Sequence, residues 1–286
     1  MTTPPARTTA TADPAAQALL QGTISLKRTH GLGNVLLLLP VLDRLRRLGC
    51  DVRLATRPEW IDAFAALRPG IRFHAEPSPD AVDLDVLTET LAPTEHRTDE
   101  FARLLGVPGP FPAPTIRPPV AWSRPFAHLA DAVLFAPEGG HPSRTWPTAH
   151  AHAFAQSLPH GPLVLAGASP EPSLPADHDY RGQTSLTELI GLLAAVRAVV
   201  SMDSAVLHLA LALRKPTVAL FGGIDPDFRI RPDQPAIALT ADMPCCPCNK
   251  NESCDSRFPC IATATSVDVL AALEDLPTPR RSIRRL

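Results

Sequence analysis

The segment Ala198–Gly223 has the sequence AVVSMDSAVLHLALALRKPTVALFGG, and the interpretation of the rest of the chain starts from it. Its first five residues are mostly apolar and β-branched, a composition typical of a buried parallel strand. The apolar run Val206–Leu213 predicts a helix, which ends at R-K-P with positive charge and a proline. Thr217–Phe221 predicts a second buried strand, closed by two glycines. The stretch therefore predicts a strand–helix–strand unit of an α/β fold.

The turn between the first strand and the helix carries polar residues where an N-cap belongs, Asp203 and Ser204. In such a unit the amino end of the helix, with its free N–H groups, lies at the carboxyl edge of the parallel sheet. α/β proteins bind anionic ligands at that edge. An ordinary unit with a capped helix and no ligand explains the pattern equally well.

A second unit of the same kind opens the globular part of the chain. The pattern predicts a strand over Thr23–Lys27 and a glycine turn over 28–34, with the sequence RTHGLGN. It then predicts a helix over Val35–Leu48 and a second strand over Asp51–Ala55. This turn is a second candidate anion site. It lacks the third glycine of the dinucleotide-binding fingerprint, so a dinucleotide site is poorly supported.

A proline-rich segment at 107–119, VPGPFPAPTIRPP, separates two series of predicted α/β units. Such a segment joins neither a helix nor a central strand, so it predicts a stiff linker. We expect a disordered tail over 1–20, a Rossmann-like domain over 21–120, a second over 121–276 and a basic tail over 277–286. The predicted fold class is α/β, with parallel sheets facing a central cleft.

The composition restricts the class of protein. The chain has 286 residues and a formal net charge of −2, which argues against a dedicated nucleic-acid binder. No apolar run approaches the roughly 20 residues of a membrane span, and the first residues lack the apolar region of a secretory signal. We therefore expect a cytoplasmic protein, whose basic tail makes at most peripheral membrane contact.

Five of the six cysteines fall in one segment, at positions 245, 246, 248, 254 and 260. The pattern is compatible with a thiolate site for zinc or iron, but its spacing is not that of a standard zinc finger. A reduced cysteine loop is the alternative, and no metal or other cofactor is predicted. Disulfides are not expected in a cytoplasmic protein.

Several motifs coincide in the order of one known family. They are LLLLPVL after the first glycine turn, RTWP at 144–147, QTSLTEL at 183–189 and DSAVLHLALALRKPTVALFG from Asp203. On these motifs the sequence resembles glycosyltransferase family 9, the heptosyltransferases, from about Ile24 to Leu273. The resemblance implies the two-domain GT-B fold. It also implies inverting transfer of a sugar from a nucleotide sugar, often an ADP-activated heptose, to a hydroxyl acceptor such as a glycan.

The resemblance also implies roles for particular residues. Arg144 matches the basic residue that contacts the phosphates, where a fixed cation stabilises the departing diphosphate. Asp203 matches the acidic residue that hydrogen-bonds the donor sugar, and His208 matches a family histidine, with a packed core histidine as its alternative. The remaining donor-side positions are Thr184, Ser185 and Leu186 at the nucleoside pocket, and Ser204 and Ala205 at the helix amino end.

The sequence departs from the family at Asn34. The family turn reads G-D, and its aspartate is the proposed general base for the acceptor hydroxyl, whereas this turn reads G-N. An amide does not accept a proton near neutral pH. His30 in the same turn is one replacement, because histidine titrates in the right range. A carboxylate elsewhere in the cleft is another. The sequence thus predicts a glycosyltransferase, with a non-catalytic nucleotide-sugar binder and a sugar-nucleotide epimerase as alternatives.

Overall fold

The structure is a computed structural model that describes residues 22–89, 94–249, 259–276 and 280–286. The predicted tail over 1–20, Cys254 and the first three residues of the predicted basic tail lie outside these residues.

The first sheet is parallel and has four strands in the order β3-β2-β1-β4. Its strands are β1 (Thr23–Lys27), β2 (Asp51–Ala55), β3 (Arg72–His74) and β4 (Val82–Asp83). The helices of this half are α1 (Leu32–Arg47), α2 (Pro58–Leu67), α3 (Leu84–Glu89) and α4 (Arg97–Leu104). In the register, Thr23 lies opposite Asp51 and Lys27 opposite Ala55, so the glycine turn leaves the sheet at its carboxyl edge.

The second sheet is also parallel and has seven strands in the order β11-β10-β9-β8-β5-β6-β7. Its strands are β5 (Val133–Ala136), β6 (Leu163–Leu165), β7 (His178–Asp179), β8 (Ala198–Met202), β9 (Thr217–Leu220), β10 (Ala236–Thr240) and β11 (Ser282–Arg285). The helices are α5 (Val120–Ser123), α6 (Thr148–Ser157), α7 (Leu186–Ala195), α8 (Ala205–Ala212), α9 (Pro259–Ala262) and α10 (Ser266–Glu274). Short 3₁₀ helices occupy Arg124–Leu129, Pro142–Arg144 and Pro226–Phe228.

The segment Ala198–Gly223 folds as predicted, into β8, α8 and β9, and the proline-rich segment at 107–119 contains neither helix nor strand. The first helix begins three residues earlier than predicted, at Leu32, because Gly31 with its positive φ of 73° is the N-cap. Asn34 is therefore not a capping residue; it lies within the first turn of α1.

One prediction about the carboxyl-terminal part was wrong. The segment after Gly223 contains the buried strand β10. Part of the predicted basic tail is not a tail but β11, which pairs in parallel with β10. Two arginines of this segment form ion pairs, Arg281 with Asp227 at 2.5 Å and Arg284 with Asp275 at 2.5 Å.

The halves share one apolar core. Helix α1 packs against α4 of its own half and against α8 of the other half. One buried cluster therefore contains residues of α1, such as Leu36 and Leu39, together with residues of α8, such as Val206 and Leu209. This packing brings the amino ends of α1 and α8 together. Among the described residues, no helix is long and apolar enough to cross a membrane.

Candidate functional site

A cavity of about 320 Å³ lies where the carboxyl edges of the two sheets meet. Such a volume is within the range of small-molecule sites. Its lining comes from the turns after β1, β5, β6 and β8 and from one loop arginine: Gly31, Leu32, Gly33, Asn34, Glu138, Gly139, Gly140, Arg144, Gly167, Ala168, Asp203, Ser204, Ala205, Val206, His208 and Arg229. The cavity therefore contains six of the predicted site residues, namely Asn34, Arg144, Asp203, Ser204, Ala205 and His208.

Two helix amino ends open into this cavity. The N-cap of α1 is Gly31, which has no side chain, and the N-cap of α8 is Ser204. The Ser204 hydroxyl lies 3.1 Å from the Ser201 hydroxyl, and among the described residues neither N-cap side chain caps its helix. The N–H of Asn34 in the first turn of α1 donates to the Gly31 carbonyl at 2.9 Å. The positive dipole ends of both helices thus remain directed at the cavity, where they favour an anion.

Arg144 adds a full positive charge beside the amino end of α8. Its Nη1 donates to the backbone carbonyl of Asp203 at 3.5 Å, while its Nε has no hydrogen-bond partner among the described residues. The loop after β5 reaches Arg144 only because Gly139 has no side chain. A Cβ there would lie 2.6 Å from the Cβ of Arg144 and 2.9 Å from the Asp203 carbonyl oxygen.

Asp203 is a buried carboxylate that lies between the side chains of Arg229 and His208. Its Oδ2 lies 3.6 Å from Nε of Arg229, and its Oδ1 lies 3.6 Å from Nε2 of His208. Burial raises the pKa of Asp203, but the His208 hydrogen bond and the charges of Arg229 and Arg144 outweigh burial and hold the pKa well below its usual range. Asp203 is therefore a permanently ionised acceptor of hydrogen bonds.

His208 is both a residue of the candidate site and a packed interior histidine. Its ring is 8% exposed and lines the cavity. It also packs directly on Gly33 of α1, where a Cβ would lie inside contact distance of the His208 Cδ2. The histidine therefore joins the two helix amino ends as well as facing the site.

The glycine turn after β1 is fixed by Asp85, which the sequence interpretation missed. The buried Asp85 carboxylate accepts hydrogen bonds from the backbone N–H groups of Thr29 and His30 and pairs with Arg28 at 3.2 Å. Burial raises the pKa of Asp85, but these bonds and the charge of Arg28 together lower it. The exposed His30 is not among the residues that line the cavity, whereas Asn34 is.

Thr184, Ser185 and Leu186 are likewise not among the lining residues. Ser185 begins α7 with the predicted capping box, in which its hydroxyl accepts from the backbone N–H of Glu188. The segment nevertheless lies close to the cavity rim, since the N–H of Gly182 donates to the carbonyl of Gly167 at 2.9 Å. Trp146, predicted to be structural, is buried and donates to the carbonyl of Ala264 at 2.8 Å.

Two further charged residues of the cavity were not predicted, Glu138 and Arg229. Glu138 lies in the loop P-E-G-G directly after β5, and its position at a strand's carboxyl end was the available signal. Burial raises the pKa of Glu138, and the charge of Arg181 only partly opposes this effect. Arg229 follows a 3₁₀ helix in a loop whose pattern gives no comparable signal.

Four of the five clustered cysteines lie in the described part of the chain. Cys245, Cys248 and Cys260 lie near Cys246, and burial and these neighbours raise the pKa of Cys246 to about 12, so its thiol is protonated. No group of three or more His, Cys, Asp or Glu within the described part of the chain is arranged to hold a metal ion. Cys254 lies outside that part.

Comparison with known proteins finds a family match in the second half of the chain. Residues 123–257 match the sequence model of glycosyltransferase family 9 (heptosyltransferase). Lipopolysaccharide heptosyltransferase 1 of Pseudomonas aeruginosa is 41% identical over 66 residues, which are 23% of this chain and 19% of the relative. Lipopolysaccharide heptosyltransferase 2 of Escherichia coli is 47% identical over 47 residues, which are 16% of this chain and 14% of the relative.

Residues 123–257 are therefore similar to glycosyltransferase family 9. The match to each of these two relatives spans less than a fifth of that relative's length. The similarity in sequence thus concerns a local segment of the chain. The resemblance drawn from the RTWP and DSAVLHLALAL motifs is confirmed.

Solved structures extend the likeness to the whole fold. The E. coli ADP-heptose heptosyltransferase II covers 89% of this chain and 97% of its own, with a TM-score of 0.61 and 14% identity. The iron-containing dodecameric glycosyltransferase TibC of enterotoxigenic E. coli covers 89% and 75%, with a TM-score of 0.69 and 18% identity. The chain therefore has the predicted GT-B fold.

Proposed function

We propose that this protein transfers a sugar from a nucleotide-diphosphate sugar to a hydroxyl acceptor. The observation that carries the proposal is the meeting of two uncapped helix amino ends and Arg144 in one cavity. That combination suits a diphosphate better than a neutral ligand, because it offers several N–H donors, two helix dipoles and a fixed cation.

An ADP-sugar is the favoured donor. One solved neighbour, TibC, is described in complex with ADP-D-β-D-heptose, and another, E. coli WaaC, with ADP-2-deoxy-2-fluoro heptose. We extend this donor class to the present chain, with a glycan or another hydroxyl compound as acceptor. The predicted nucleoside contacts of Thr184, Ser185 and Leu186 are part of the same proposal, since this segment adjoins the cavity rim at Gly167.

In the proposed reaction the acceptor oxygen attacks the anomeric carbon while the bond to the diphosphate oxygen breaks. The nucleoside diphosphate leaves with that electron pair. Arg144 and the amino end of α8 stabilise the charge that develops on it. Asp203 accepts hydrogen bonds from the donor sugar, and attack from the face opposite the diphosphate inverts the anomeric carbon.

A nucleotide-sugar binding protein without transfer activity is the second candidate, and Asn34 is the observation that favours it. Asn34 occupies the turn of the family base and faces the cavity, yet its amide does not accept a proton. The two candidates share the donor site and differ only in turnover.

The test is calorimetric titration of ADP, UDP, GDP and their sugar conjugates into the wild type and Arg144→Ala. Loss of a charge-assisted contact of about 1.5–3 kcal/mol weakens binding roughly 10- to 150-fold. Arg197→Ala is the matched control, because Arg197 is an exposed arginine of the same half and does not line the cavity.

Equal affinities of the wild type and Arg144→Ala would contradict the assigned phosphate site. The absence of binding by every nucleotide and nucleotide sugar would contradict both candidate functions. Release of ADP in the presence of an acceptor separates transfer from binding alone.

A further inference from the structure

Glu138 lies in the loop after the middle strand of three neighbouring strands in the second sheet. It follows β5, whose neighbours in the sheet are β8 and β6. The residues after those strands, Asp203 and Gly167, line the same cavity as Glu138. The lining also includes Asn34, the position at which the family pattern has its proposed base.

The lining of the cavity includes two carboxylates, Glu138 and Asp203. Asp203 is engaged by His208 and Arg229 and is held in its ionised form, which makes it a poor proton acceptor. Asp203 Oδ2 has no hydrogen-bond partner among the described residues, but it lies 3.6 Å from Nε of Arg229. The Oε1 atom of Glu138 is also buried without a hydrogen-bond partner there, and no cationic side chain of the described residues forms an ion pair with Glu138. This oxygen is available to a hydroxyl group that enters the cavity.

We propose, on the basis of the glycosyl transfer proposed above, that Glu138 is the general base that takes the proton of the acceptor hydroxyl. As the acceptor oxygen bonds to the anomeric carbon, its proton passes to the Glu138 carboxylate. The bond between the anomeric carbon and the diphosphate oxygen breaks, and the nucleoside diphosphate carries away the electron pair. The proton then leaves Glu138 for solvent, and Asn34 serves as a neutral hydrogen-bonding group.

The chemistry of the site agrees with this assignment. A base is more effective when its pKa is closer to the working pH, and burial moves the pKa of Glu138 upward, in that direction. The family pattern has an aspartate where this chain has Asn34, so the cavity lacks that carboxylate. The proton of the acceptor hydroxyl therefore passes to a different group from the one in the family pattern.

The experiment compares wild type, Glu138→Gln and Glu138→Asp with ADP-D-β-D-heptose, or with any other nucleotide sugar that binds, using water and added small alcohols as acceptors. ADP release is the measured rate. Removal of a general base lowers turnover by about 10²- to 10⁴-fold. We expect Glu138→Gln to show this loss with an affinity for ADP within about threefold of the wild type, and Glu138→Asp to retain part of the rate.

Two readouts separate a base from a residue with a structural role. The acid limb of the pH–rate profile, where turnover rises as Glu138 loses its proton, should be absent from Glu138→Gln. Azide needs no proton removed, so it should restore ADP release in Glu138→Gln, with a glycosyl azide as the second product. Glu171→Gln is the matched control, because Glu171 is an exposed carboxylate of the same half and does not line the cavity.

The outcomes distinguish the two proposals. A wild type that releases ADP and a Glu138→Gln variant that releases it equally fast would overturn the role of Glu138 and leave transfer intact. Tighter ADP binding by Glu138→Gln with unchanged turnover would do the same, and would place the carboxylate against the phosphates. A wild type that binds a nucleotide sugar but never releases ADP would overturn both.

Discussion

At the scale of single residues, His96 shows how strongly the interior restricts ionisation. It is the N-cap of α4, 5% exposed, and its Nδ1 accepts from the backbone N–H of Thr98 at 3.2 Å. Burial, followed by the charges of Arg231, His208 and Arg229, lowers the pKa of His96 to about 2. In the unfolded chain the pKa of this histidine is near 6.5.

Because the unfolded state binds this proton more readily, the contribution of His96 to stability is fully present above about pH 6.5 and is lost as the pH falls toward 2. The expected slope is up to about 1.4 kcal/mol per pH unit. His96→Asn keeps a capping side chain and should remove this slope between pH 6 and 4, as measured by urea unfolding. His152→Gln, at an exposed position, is the control. Identical slopes in His96→Asn and wild type would contradict the shift.

At the scale of elements, the contact between the amino ends of α1 and α8 is expected to limit what position 33 tolerates. Alanine is normally a better helix residue than glycine by about 1 kcal/mol. At Gly33, however, the added methyl group meets the His208 ring. We expect Gly33→Ala to destabilise the protein by about 1–3 kcal/mol and to weaken ADP binding, because overpacking displaces His208 from the cavity wall.

The double variant with His208→Ala identifies the cause. In the His208→Ala background, Gly33→Ala should be neutral or stabilising, so that chemical unfolding of the four proteins shows a coupling between the two positions. Additive effects would mean that the glycine is required for a reason other than the histidine ring.

Elements with a strong apolar pattern were predictable from the sequence. The strands β1, β2 and β8 have the expected bounds, because continuous apolar or alternating residues determine them locally. Strand β11 was not predictable, since S-I-R-R has one apolar residue. Its strand structure comes from pairing with β10, which is a tertiary interaction rather than a local preference.

The same distinction between local pattern and tertiary contact applies to the residues of the candidate site. Arg144, Asp203 and His208 lie in sequence motifs, and the fold brings them into one cavity with Asn34. Asp85 and Glu138 depend on which loops meet in three dimensions. Asp85 contacts the glycine turn from 56 residues away, and short-range spacing carries no signal for such a contact.

At the scale of the whole molecule, the shared core predicts a single cooperative unfolding transition. The cluster that contains Leu54 of the first sheet also contains Val199 of the second. The halves are joined as well by an ion pair, in which Arg231 donates to both carboxylate oxygens of Asp99 at 2.8 and 2.6 Å. Backbone amides of β2 and β9 should therefore lose protection at the same urea concentration in pulsed hydrogen exchange. Two separate midpoints would show that the halves unfold independently.

Strand β11 has a practical consequence for protein engineering. It covers the edge of β10, and the exposed outer edge that it presents carries arginines, which discourage another chain from pairing there. A truncation before Ser282 would uncover the apolar strand Ala236–Thr240, four of whose five residues are buried. Such a shortened protein would present a neutral β-edge to its neighbours, so self-association would rise although no residue of the cavity around Asp203 had been touched.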